Sequence, residues 1–198
     1  MDLNHFGKLV YFILPLILGG IFNMVFMKLP VLSSLKKPID GGTILRDGKR
    51  LFGDNKSWKG FLGMILITSL FMGLFGFFFR NFEWAREVSL VDYSRFSFPF
   101  NEFFYGGVWG FGYVLAELPN SFVKRRISIA PGTQVSGLKG IIFTIIDQSD
   151  SVIGCMIFML PFFIPTPLEA LVIFCIGTGF HYIVNILLYL VGLKNQAG

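Results

Sequence analysis

Cysteine is nearly missing from this chain of 198 residues: there are two, Cys155 and Cys175, and both fall inside apolar runs. That excludes a disulfide-stapled secreted scaffold and reads the thiols as core filler. Charge is also scarce. Asp, Glu, Lys and Arg make up 15% of the residues, against about a quarter in an ordinary soluble domain. No internal repeat or low-complexity tract occurs, so residues 1–198 read as a single domain. The Walker pattern G-x-x-x-x-G-K-[ST] is missing as well, because Lys56-Ser57 follows Gly53 at the wrong spacing.

What fills the chain instead is hydrocarbon. Hydrophobic residues account for 54% and Phe alone occurs 25 times, which predicts an all-α integral membrane protein. About 20 apolar residues suffice for a spanning helix, and five segments qualify: Leu9–Met27, Phe61–Phe79, Phe103–Leu118, Gly140–Ile164 and Leu168–Leu193. The third contains GGVWGFGYV, whose glycines suit a helix packed closely against its neighbours. The first has no small-x-small cleavage site and is expected to stay in the mature protein.

The basic residues give an orientation, since short loops rich in Lys and Arg stay in the cytoplasm. Residues 28–60 hold Lys28, Lys36, Lys37, Arg46, Lys49, Arg50, Lys56 and Lys59; residues 119–139 hold Lys124, Arg125, Arg126 and Lys139; the tail holds Lys194. The alternate side has Lys8, Arg80, Arg86 and Arg95. Five spans then place the N-terminus outside, the C-terminus in the cytoplasm, and both long loops on the cytoplasmic face of the cell (inner) membrane.

Three polar segments on that face carry chemistry. The loop KKPIDGGTILRDGKRLFGDNKSWKG has the glycine and proline of turns rather than a helix, with basic residues spaced to wrap phosphate. Binding of anionic head groups is the competing reading, and Lys36 is assigned to it. The second segment, AELPNSFVKRRISIAPG, sets the carboxylate of Glu117 at the membrane boundary beside Asn120, Ser121 and the triplet Lys124-Arg125-Arg126. The third is DQSD within the fourth apolar run. Asp147 and Asp150 are at i and i+3, so they share one helix face. Each carboxylate costs about 2.5–3.5 kcal/mol to insert at a helix centre and somewhat less toward its end. A cation between the two removes that penalty, and hard oxygen ligands describe a Mg²⁺ site. An ion pair with Arg125 or Arg126 is the alternative.

These stretches carry a resemblance. DGGTILRDGKRLFGDNKSWKG resembles the cytoplasmic loop of CDP-archaeol synthases and their bacterial relatives, and ELPNSFVKRRISIAPG followed by DQSDS is similar to a signature loosely shared with CDP-diacylglycerol synthases. HYIVNILLYLVGLK resembles the family's last helix. The resemblance implies cytidylyl transfer from CTP to a lipid phosphate, with release of pyrophosphate. It matches Glu117 to the family's acidic position, Ser121, Lys124 and Arg125 to S-x-x-K-R, and Asp147 and Asp150 to D-x-x-D. The diacylglycerol branch usually has Asp at the first position, and a Lys-Asp pair and a P-G-H-G-G run after the basic residues. Here stand Glu117, Ser128-Ile129 and a solitary Pro131-Gly132, which favours the archaeol-type branch.

On that reading Asp147 and Asp150, with Glu117, hold Mg²⁺, and Lys56, Lys59, Lys124, Arg125 and Arg126 hold phosphates. The Gly53-Asp54-Asn55 turn presents backbone donors. Trp58 either stacks on cytosine or anchors the interface, and His181 and Asn185 fix the bundle. A nucleic-acid partner is not expected, and the chain is compatible with a homodimer. The rival class is an anion transporter with a basic vestibule.

Overall fold

The computed structural model describes residues 1–133 and 135–192. Lys194 and the end of the expected fifth span therefore lie outside the described residues. Five long helices dominate: α1 (Leu3–Lys28), α2 (Trp58–Asn81), then a short α3 (Glu83–Val88), α4 (Glu102–Arg126), α5 (Gly137–Phe158) and α6 (Pro167–Leu190). No strand forms among the described residues, only isolated bridges such as Pro38 with Ser57 and Ile44 with Arg50.

The helix starts are written locally. Asp2 accepts from the His5 amide at 2.7 Å, Ser57 from Gly60 at 3.3 Å, and Asn101 from Phe104 at 3.1 Å. Thr166 and Glu169 cap α6 reciprocally, with Pro167 in the first turn. Each such cap satisfies amides that have no partner inside the helix. Helix α5 stops at Phe158, six residues before the expected end, because Pro161 cannot continue it. The chain instead turns, with the Phe162 and Phe163 amides both donating to the Met159 carbonyl, and the Phe163 ring packs 4.4 Å from Phe12 of α1. Helix α4 runs eight residues past its expected end despite Pro119. The residues added, Asn120 and Lys124 among them, bond to α5, and those contacts outweigh the missing backbone hydrogen bond.

Four of these helices, α1, α2, α5 and α6, are long and apolar enough to cross a membrane. Helix α4 is as long but less apolar, and it sits between α2 and α5. Its glycines explain that position. A methyl group on Gly106 would lie 2.6 Å from Met72 Cβ, one on Gly110 would lie 2.7 Å from the Met64 carbonyl, and one on Gly112 would meet Phe158 at 2.6 Å. Backbones this close require the bare Cα, as the sequence led us to expect.

Leu9, Phe12, Met72, Trp109 and Met159 form the core, with the Trp109 indole donating to the Cys155 carbonyl at 3.0 Å. Cys155 is buried as expected, whereas Cys175 lies on the outer face of α6. Outward positions such as Leu66, Leu70, Ile145, Ile153 and Leu171 remain exposed hydrocarbon, the surface lipid covers. The chain is a multi-pass membrane protein. One end of the bundle is tied by Arg80 to Glu102 at 2.6 and 3.0 Å and by His5 to Glu169 at 2.8 Å. The other carries the basic loop, the end of α4 and the start of α5.

Candidate active site

The basic loop is organised around one carboxylate. Asp40 accepts from the Gly42, Phe52 and Gly53 amides at 3.0 Å each and from Arg50 at 2.8 Å. Burial would raise its pKa, but the Arg50 hydrogen bond and the backbone donors together hold the carboxyl well below the usual range. Asp40 is absent from the residues singled out in the sequence, although D-G-G is a legible Asx-turn signal.

The loop is then fastened to α4. Arg126 holds Asp47 through two bonds of 2.7 and 2.8 Å and also donates to the Arg50 carbonyl, while Lys49 donates to the Arg126 carbonyl at 2.5 Å. Pro131 closes the far side over Gly53. A Cβ on Gly53 would stand 2.6 Å from the Pro131 ring, and its φ of +110° favours glycine in any case.

Beneath this frame opens a cavity of about 1500 Å³. Among the residues the sequence singled out, Asp54, Asn55, Lys56, Glu117, Ser121, Lys124, Arg125, Asp147 and Asp150 line it. Four others do not. The Gly53 amide is bound to Asp40, and Arg126 is the loop's latch. Lys59 is completely buried, its ammonium 2.7 Å from the Leu29 carbonyl and 4.6 Å from the centre of the Phe26 ring, so it joins α2 to the end of α1. Trp58 faces outward against Phe61, the posture of an interfacial anchor. Lys36 reverses in the other direction: it lines the cavity although the sequence assigned it to head groups.

Inside, charges are matched across elements. Lys56 of the loop pairs with Glu117 of α4, and Lys124 of α4 pairs with Asp147 of α5. The partner of the carboxylate pair is thus Lys124, not Arg125 or Arg126. Asp147 and Asp150 converge, as their spacing predicts, on one nitrogen: Asn120 Nδ2 lies 2.5 Å from Asp147 and 2.8 Å from Asp150. Arg125 is different. It is 6% exposed, and its Nε and Nη1 have no hydrogen-bond partner among the described residues.

Could these groups hold a divalent cation? Among the described residues no three His, Cys, Asp or Glu side chains form a metal cluster, and Glu117 is turned to Lys56. Two carboxylates do converge, however, on Asn120, whose Nδ2 stands between them and whose buried Oδ1 has no partner among the described residues, so that it is available as a third oxygen. That donor set is all hard oxygen, which suits a divalent cation such as Mg²⁺ that keeps waters and substrate phosphates as its remaining ligands.

Residues 3–197 match the family described as CarS-like, CDP-archaeol synthase. The chain belongs to that family. It is 31% identical over 161 residues to a CDP-archaeol synthase of Pyrococcus furiosus, covering 81% of this chain and 83% of the relative. The Thermococcus kodakarensis CDP-archaeol synthase is 29% identical over 167 residues, covering 84% and 85%. At 27% identity the Pyrococcus horikoshii CDP-archaeol synthase aligns over 98% of both chains. A solved structure, of an intramembrane enzyme for archaeal membrane lipids biosynthesis, shares the fold with a TM-score of 0.58 at 22% identity, covering 88% of this chain and 90% of the other. Family membership makes the chain a CTP-dependent cytidylyltransferase of lipid biosynthesis and removes the transporter reading.

Proposed function

We propose that the chain transfers the cytidylyl group of CTP to a membrane lipid phosphate, archaeol-type or phosphatidate-like, giving CDP-lipid and pyrophosphate in a Mg²⁺-dependent reaction on the cytoplasmic face of the cell membrane. The observation that carries this reading is Arg125. A guanidinium cannot lose its charge in a protein, and one buried beside a cavity without a counter-ion among the described residues is a site prepared for an anion.

The remaining groups fit phosphate chemistry. An oxygen of the lipid phosphate attacks the α-phosphorus of CTP, a new P–O bond forms, the α–β anhydride bond breaks, and pyrophosphate leaves with its electron pair. A phosphate monoester is largely ionised near neutral pH, so no protein nucleophile is needed. The chain's task is to position the two anions and neutralise their charge. Without substrate, Lys56 and Lys124 are neutralised by Glu117 and Asp147. With phosphates present the lysines turn to them, and Arg125 gains its missing partner. Asp147, Asp150 and Asn120 would hold the Mg²⁺, which when bound supplies Lewis-acid stabilisation of the phosphoryl charge. Ser121 and Asn55 stand at the cavity wall as further donors.

Helix α4 is then the fifth span, lined by protein rather than lipid, and the thirteen-to-four basic asymmetry read from the sequence sets the N-terminus outside. The deciding experiment incubates the purified protein in detergent with radiolabelled CTP, Mg²⁺ and a panel of lipid phosphates. Labelled lipid is expected; none from any member of the panel overturns the assignment.

A further inference from the structure

The cavity wall carries a second set of polar groups that the phosphate chemistry does not use. Gln148 directly follows Asp147 in α5, yet it turns to α6 rather than α4: its Oε1 accepts from Asn185 Nδ2 at 2.7 Å, and the residue is 3% exposed. His181, one turn before Asn185, ties three helices together. Its ring lies 3.2 Å from the Gln148 carbonyl and 3.3 Å from the Ser151 hydroxyl in α5, and 3.1 Å from the Tyr113 hydroxyl in α4.

Two hydrogen-bonding groups in this neighbourhood have no partner among the described residues. They are Gln148 Nε2 and the hydroxyl of Thr178, both buried, and both residues line the cavity. Thr178, His181 and Asn185 are at i, i+3 and i+7, so they share one face of α6. A buried polar group without a partner costs the water it has given up. On a cavity wall that cost is removed by a ligand.

The chemistry of the vacant groups selects the ligand. The amide nitrogen of Gln148 only donates, and the Thr178 hydroxyl is free to donate. In a glycerol lipid phosphate the two oxygens joining the tails to the glycerol, ether or ester, only accept. They lie a few bonds from the phosphate, on the side of the tails. Past this polar group the cavity becomes apolar, lined by Ile13, Trp109, Met156 and Ile173.

We propose that Gln148 and Thr178 donate hydrogen bonds to the glycerol oxygens of the lipid phosphate and thereby select a glycerol lipid over a simple alkyl phosphate. The inference rests on the cytidylyltransferase reading above and names the substrate feature recognised at that site. With the phosphate held at Lys124 and Arg125, the glycerol lies along α5 and α6 and the tails occupy the apolar end.

The test uses the purified full-length protein at saturating CTP and two lipid phosphates with matched branched tails. One is a diether glycerol phosphate, the other the phosphate monoester of a primary alcohol that carries both tails on carbon, without glycerol oxygens. The wild type is expected to favour the glycerol lipid about tenfold or more in kcat/KM. Thr178→Val, which keeps the shape and removes a hydroxyl bonded to nothing among the described residues, should shrink that ratio by roughly 3- to 10-fold, through KM for the lipid with KM for CTP unchanged. Gln148→Met should do the same. Should the wild type make product from neither lipid, the cytidylyltransferase reading itself fails. Product formation with the same ratio in wild type and both variants overturns only the role given to Gln148 and Thr178. A rise in KM for CTP would place the pair on the nucleotide and overturn it equally.

Discussion

Lys124 reaches from α4 to α5 and closes on both carboxylate oxygens of Asp147. Removing either charge therefore strands the other in a half-buried setting. Asp147→Asn and Asp150→Asn are expected to lower turnover at least about 100-fold, the scale on which lost electrostatic stabilisation is measured at other phosphoryl and acyl centres. Both proteins should still insert and purify. A chelator should abolish wild-type activity and added Mg²⁺ restore it. Near-normal rates in both variants would remove the metal from these residues.

Arg125 offers a test in which stability and activity move apart. Arg125→Met removes a buried charge that has no ion-pair partner among the described residues, so the thermal midpoint without ligand should stay the same or rise. The kcat/KM should fall about 10- to 100-fold, the loss expected for a hydrogen bond to a charged group. A melting point that falls together with activity would instead make Arg125 a structural residue.

Lys56 and Lys59 stand three positions apart and should behave oppositely. Lys56→Gln is expected to raise KM for CTP several-fold without unfolding the protein. Lys59→Met should lower thermal stability, because the Leu29 carbonyl at the end of α1 loses its donor, while KM for CTP stays near wild type. Kinetics and differential scanning fluorimetry on the two variants decide the matter.

The Asp40 carboxyl has a depressed pKa in the folded loop. Its contribution is therefore complete above the unfolded value of about 3.9 and is lost only as pH falls through the lower folded value. Amide exchange at Gly42, Phe52 and Gly53, corrected for intrinsic rate, should stay protected from pH 7 down to about 4.5. In Asp40→Asn protection should be gone across the whole range either at Gly42 or at Phe52 and Gly53, which bond different oxygens, since one of the two acceptors has become a donor.

Sidedness is the remaining test. In sealed vesicles CTP on the face of the basic loop should give product and CTP confined to the opposite face should not, because a triphosphate does not cross hydrocarbon. Cysteine labelling of the loop from the outer face would reverse the topology.

The sequence disclosed the helices because spanning hydrocarbon is written in composition, and it disclosed Asp147 and Asp150 because charge inside such a run has a cost that needs a reason. It separated poorly the basic residues that face the cavity from those that build. Lys59 and Arg126 look like Lys56 and Lys124 in a linear chain. Their fates are decided by contacts 30 to 79 positions away, with Leu29 and Asp47. Gln148 and Asp40 were passed over for a related reason. An amide between two carboxylates and a carboxylate among glycines gain meaning only from the atoms that fold back to meet them.

Arg126 and Pro131 hold the basic loop at two points. A loop so fastened is no lid, and on the proposed reading the nucleotide meets a mouth already shaped. Association should then lose little conformational freedom and show a modest heat-capacity change, in contrast to a segment that orders upon binding. Calorimetry of CTP binding to wild type and to Arg126→Met would measure how much of that economy the latch provides. Freed of it, the loop should bind with a larger entropic penalty and a more negative heat-capacity change.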